Sequence, residues 1–164
     1  MGESTRILVV DDDESIRRVL TTILEEEGYA VDTVKNGKEA IKKSKTKFYN
    51  LGLIDIRLPD MEGTKLLTSM RDTTPKMRKI IITGYPSVQN AIEALNKDAD
   101  AYIMKPFDMD KVLATIREQL KKQKGEREYC QEKVTEFIET RVRQLEEEKT
   151  IKQWLERFYV KFSL

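Results

Sequence analysis

Residues 7–13 read Ile7-Leu8-Val9-Val10-Asp11-Asp12-Asp13. Four apolar residues, three of them β-branched, are too few for a helix and too uniformly apolar for a strand with one wet face. They predict a strand buried on both sides. The run stops abruptly at three acids, which puts carboxylates at the carboxyl end of that strand.

Working outward, Ile16, Val19, Leu20, Ile23 and Leu24 recur at helical spacing, and Gly28 is the expected stop. A second strand follows over 30–34, a short helix over 38–44, and a third strand over 49–54 that delivers Asp55 to its end. The link from Asp55 to Gly63 contains Pro59, a punctuation residue, and leads into a helix over 64–70. Strands over 79–82 and 101–104 alternate with helices over 87–96 and 108–120. This fivefold alternation predicts an α/β chain: a doubly wound parallel sheet with helices on both faces and a ligand crevice beyond the strand carboxyl ends.

At 164 residues the chain has room for one domain with a full core plus an appendage. With 39% hydrophobic and 36% charged residues it reads as globular, and a net charge of +1 creates no general field for polyanions. The apolar runs are strand-sized and no signal-peptide pattern opens the chain, so a cytoplasmic location is expected. Cys130 is the only cysteine and histidine is absent, which excludes an internal disulfide and histidine-rich zinc sites. If this chain carries a phosphoryl group, it cannot have received it through a phosphohistidine of its own, so the donor is another molecule.

Beyond Leu120 the character changes. Lys121 to Glu128 is charged and contains Gly125, and no strand alternation or proline follows. One amphipathic stripe runs through Val134, Phe137, Ile138, Val142 and Leu145, and another through Ile151, Leu155, Phe158 and Phe162. They do not share an obvious register through Glu146 to Lys149, so a continuous coiled coil, two helices and one bent helix all fit. The expected organisation is a first domain over 1–121 and a helical extension or linker over 122–164, possible ground for a homodimer. No compact helix pair presents a basic face, and direct DNA binding is not expected.

The strand ends carry the chemistry. Asp11 and Asp12 follow the first strand, Asp55 the third, Thr83 the fourth and Lys105 the fifth, and a parallel sheet projects all of them from one edge. Each alone is ordinarily a turn, cap or solvated residue; together, on corresponding ends of a five-unit pattern, they describe a site. Clustered carboxylates either raise one another's pKa or hold a metal, and hard oxygen donors suit Mg²⁺. A carboxylate beside a cation and a hydroxyl can take a phosphoryl group, because both neutralise the phosphoryl oxygens.

These motifs closely resemble those of the receiver domain of two-component response regulators. Ile7 to Asp13 resembles the family's strand-one acidic motif, and Leu53-Ile54-Asp55-Ile56-Arg57-Leu58-Pro59-Asp60-Met61-Glu62-Gly63 resembles its acceptor loop. Thr83-Gly84, Tyr102 and Lys105-Pro106-Phe107 match the remaining motifs, over about residues 5 to 121. The resemblance implies a flavodoxin-like sheet of order 2-1-3-4-5 and a phosphoacceptor at Asp55 served by a sensor histidine kinase or phosphotransfer protein. It implies Mg²⁺ held by Asp11, Asp12, Asp55 and the Arg57 carbonyl, catalysis by Asp55, Thr83 and Lys105, and a switch through Thr83 and Tyr102. It also implies that Arg57 and Tyr85 tune the lifetime of the phosphoryl group, and that the Lys105–Pro106 bond is often cis. Any enzymatic activity is restricted to the chain's own phosphorylation and dephosphorylation. Competing readings are a phosphorylation-independent binding or dimerisation module and a Mg²⁺-dependent phosphohydrolase. Asp98 departs from the family pattern, standing where a glycine is common; Asp60 is read as a turn residue.

Overall fold

A computed structural model describes residues 4–162 except 71, 74, 85 and 86. Strand β1 (Arg6–Val10), helix α1 (Glu14–Glu26), β2 (Ala30–Val34), α2 (Gly37–Thr46), β3 (Leu51–Asp55) and α3 (Gly63–Ser69) follow in order. Then come β4 (Arg78–Thr83), α4 (Val88–Asn96), β5 (Ala101–Met104) and α5 (Met109–Phe162). The five strands are all parallel, in the order β2-β1-β3-β4-β5.

The apolar run of β1 is explained by its place between β2 and β3. Ile7 and Val9 enter one core with Leu20 and Leu24 of α1 and Val112 and Ile116 of α5. Leu8 and Val10 enter the other with Ala40 of α2, Leu66 and Leu67 of α3 and Ala94 of α4. A two-residue side-chain period over a sheet covered on both faces requires an apolar residue at every position.

Local chemistry sets the helix ends. Asp13, the third acid of the opening motif, is the N-cap of α1, its carboxylate accepting from the Ser15 and Ile16 amides. Asn36 caps α2 by accepting from the Glu39 amide, while the Glu39 carboxylate accepts from the Asn36 side chain and the Lys35 amide. Gly28 follows α1 at φ +88°, a conformation that favours glycine. Asp98, before β5, also has positive φ, at 71°. The Lys105–Pro106 peptide is cis.

Two buried polar groups tie the amino side of the sheet. Lys79 of β4 is 3% exposed, and its ammonium donates to the Leu67 carbonyl in α3 at 2.6 Å. Gln123 of α5 donates to the Asn50 and Lys76 carbonyls at 2.9 and 2.7 Å, and its amide oxygen accepts from the Asn50 side chain.

The sequence expectation ended the fifth helix near Leu120 and left a break or bend open beyond it. The structure carries one helix from Met109 to Phe162, through Gly125 and through Glu146 to Lys149. The chain divides into two units, Met1–Lys124 and Gly125–Leu164. In the second, the side chains described are exposed throughout.

Candidate functional site

The register of the sheet assembles the site. Val10 is level with Ile54, Asp55 with Ile82, and Thr83 with Met104, so the residues at and just beyond these ends reach one edge. There the carboxylates of Asp11, Asp12 and Asp55 each offer an oxygen within 4.8 Å of the others. Asp11 and Asp55 are buried and Asp12 is exposed.

Lys105 binds the cluster together. Its Nζ lies 2.7 Å from Asp11 Oδ2 and 3.2 Å from Asp55 Oδ2. Burial of Asp55 pushes its carboxyl above the usual range and the charge of Asp11 adds to that, while Lys105 and the Arg57 amide pull the other way. Burial alone would lower the Lys105 pKa, but its hydrogen bond and charge contact with Asp11, and those with Asp55, outweigh this and raise it. The result is an ammonium held charged between two carboxylates.

Supporting contacts fix the acids. The Asp13 amide donates to Asp11 Oδ1 at 2.9 Å, and Arg17 Nη1 donates to the Asp11 carbonyl at 2.7 Å. The Arg57 amide faces Asp55 Oδ1 at 3.3 Å. Thr83 ends β4 fully buried, and the Lys105 amide donates to its carbonyl at 2.7 Å. Tyr102 of β5 packs partly buried against the core beside α4; its hydroxyl is buried without a well-formed hydrogen bond. Burial raises the Tyr102 pKa, with a smaller opposing pull from the Ser87 backbone. The structure thus brings together Asp11, Asp12, Asp55 and Lys105, with the Arg57 backbone beside them. Tyr85 lies outside the described residues.

Sequence reading missed how the acceptor loop is held. The Gly63 amide donates to the Ile56 carbonyl at 2.6 Å, and a side chain on Gly63 would collide with the Asp55 carbonyl. Asp60, read as a turn residue, accepts from the amides of Gly37 and Lys38 at 2.9 Å each and so straps the loop to the start of α2. Met61 fills the space a Cβ on Gly37 would occupy. No sequence signal links these partners, since they lie more than twenty positions apart.

Residues 7–117 match the response regulator receiver domain model. The chain belongs to the receiver domain family. It is a receiver domain of two-component response regulators, with a long C-terminal helix attached. Over 119 residues the chain is 40% identical to the transcriptional regulatory protein ZraR of Klebsiella oxytoca, covering 73% of this chain and 27% of that protein. The receiver domain protein of Methanospirillum hungatei JF-1 superposes with TM-score 0.73 at 46% identity, covering 76% of this chain and 99% of that one. The response regulator TrrA of Thermotoga maritima, solved in complex with Mg²⁺ and BeF, superposes with TM-score 0.63 at 34% identity, covering 70% and 98%. The receiver spans about a quarter to a half of the length of the curated relatives it matches. Among the described residues, no helix is long and apolar enough to cross a membrane.

Proposed function

We propose that Asp55 is the phosphoacceptor and that the receiver takes a phosphoryl group from the phosphohistidine of a sensor kinase or phosphotransfer protein. The observation that carries this is Lys105 bridging Asp11 and Asp55 at the mouth of a three-carboxylate cluster. An Asp55 carboxylate oxygen forms the new bond to phosphorus as the donor's P–N bond breaks, and the imidazole leaves with the electron pair. In this reading the Lys105 ammonium, 3.2 Å from that carboxylate, meets one phosphoryl oxygen, and the Thr83 hydroxyl donates to another.

The Asp11, Asp12 and Asp55 carboxylates fit Mg²⁺, being hard, anionic and convergent, and they would hold the ion together with the Arg57 carbonyl. When bound, the ion neutralises charge on the phosphoryl group. Phosphorylation biases Thr83 and Tyr102 toward a second packing, and Arg57 and Tyr85 control the approach of the hydrolytic water. The extension associates with a second copy, because its exposed apolar stripes otherwise stay wet.

The test is incubation of the chain with a small phosphodonor and Mg²⁺, followed by intact mass and peptide mapping. One phosphoryl group on Asp55 is expected, with first-order loss of label after donor removal reporting its lifetime. Equal labelling of Asp55→Asn would refute the assignment, and no labelling of the parent would favour a module that binds without phosphorylation.

A further inference from the structure

In the second unit, Val134, Phe137, Ile151, Leu155 and Phe158 are each 41 to 71% exposed. Taken as one helix, these positions fall on a single stripe: 130, 134, 137, 141, 144, 148, 151, 155, 158 and 162 alternate in steps of four and three. That is the heptad spacing of a coiled-coil seam. On this seam the positions between Phe137 and Ile151 are held by Arg141, Gln144 and Glu148, with the exposed Ile138, Val142 and Leu145 on its flank. Arg141 Nη1 lies 3.3 Å from Gln144 Oε1 and 4.0 Å from Glu148 Oε1, so the three polar side chains share this face of the helix. The seam is therefore continuous, with a polar belt at its middle.

We propose that this stripe docks on the same stripe of a second copy running in the opposite direction. The belt is what selects the partner and the orientation. A parallel, in-register pair stacks Arg141 on the partner's Arg141 and Glu148 on the partner's Glu148, two like-charge contacts inside a desolvated seam. Reversing one helix about position 146 sets Val134 against the partner's Phe158 and Gln144 against the partner's Glu148. It also leaves Arg141 one layer from the partner's Glu148. The rim argues the other way, since Glu147 and Lys152 have the five-residue offset that attracts in a parallel pair. Such solvated rim pairs contribute little, and the buried belt decides. Leu145, beside the seam, meets its own copy near the twofold axis.

This orientation rests on the self-association proposed above, and the test separates the two. Cys130 is a free, exposed thiol at a seam position. In a parallel dimer it faces its counterpart; in the antiparallel one the two are separated by about 48 Å of helical rise. The purified 164-residue chain is sized by light scattering at micromolar concentration, then oxidised with copper phenanthroline. A dimer that gains no disulfide is expected. In a Cys130→Ser background, neither Val134→Cys nor Phe158→Cys alone should cross-link, whereas the two mixed before oxidation should. Cross-linking of the parent through Cys130, or of either variant alone, would overturn the orientation. A monomeric parent would overturn the self-association itself, leaving the tail covered within its own chain or bare.

Discussion

Asp32 Oδ2 accepts hydrogen bonds from Lys47 Nζ and Tyr49 Oη, both at 2.6 Å, joining β2 to the segment before β3. Burial pushes the Asp32 carboxyl up, but the Lys47 and Tyr49 hydrogen bonds and the nearby Lys43 charge outweigh it and hold it below the ordinary value of 3.8. A depressed folded pKa means that ionised Asp32 stabilises the fold above pH 3.8 and that this contribution is lost as pH falls through the lower folded value. Asp32→Asn should therefore lower stability by about 1 kcal/mol at neutral pH, a figure kept small because the side chain is partly exposed. Urea unfolding from pH 7 downward should show the deficit shrinking in acid. A constant deficit would mean that shape, and not charge, makes the contribution. Asp98 is an L residue held at φ 71°, its exposed carboxylate 3.4 Å from Lys76 Nζ.

The acceptor loop is braced from two sides, by Gly63 against β3 and by Asp60 against the start of α2. Loss of the Asp60 carboxylate should loosen the loop that carries Arg57 as well as uncapping α2. Asp60→Ala is expected to cost about 1 kcal/mol and to weaken Mg²⁺ binding several-fold. Asn36→Ala removes a cap at the same helix end without touching the loop, so it should cost similar stability and leave Mg²⁺ affinity unchanged. Calorimetric titration of both variants decides, and equal Mg²⁺ affinities would show that the strap does not position the site.

This brace also marks where sequence reading stops. The strands over 7–10 and 79–82 are legible because their runs Ile7 to Val10 and Ile80 to Ile82 are apolar, as central positions of a doubly covered sheet favour, and Asp11, Asp55 and Lys105 because they end such strands. Asp60 is not, since its partners Gly37 and Lys38 are brought near only by the fold. Continuity of α5 is hidden for another reason: Gly125 costs a helix about 1 kcal/mol, which its strongly helix-forming Lys, Gln, Arg and Glu neighbours offset.

At the scale of the molecule, the unit boundary after Lys124 has a physical basis in Gln123, which is 4% exposed. It reads in the sequence as one more polar residue of a charged run, yet it makes three hydrogen bonds to Asn50 and the Lys76 carbonyl. A receiver ending at Lys124 should keep its stability, whereas one ending at Lys121 should lose about 2 kcal/mol, because two carbonyls at the sheet's amino edge lose their donor. Thermal and urea unfolding of the two truncations would show the difference; identical midpoints would mean that water replaces Gln123 without loss.

The buried Lys79 makes opening of the core chemically readable. Its amine is held against the Leu67 carbonyl, and burial lowers its pKa, with further lowering from Lys76 that Asp72, Asp98 and Asp100 oppose. Once uncovered, the amine reacts as an ordinary lysine does; covered, it is sealed from any acylating reagent that quickly marks the exposed lysines of α2. The delay before Lys79 is marked therefore measures how often β4 and α3 part, a frequency set by the opening free energy of the core and not by the surface.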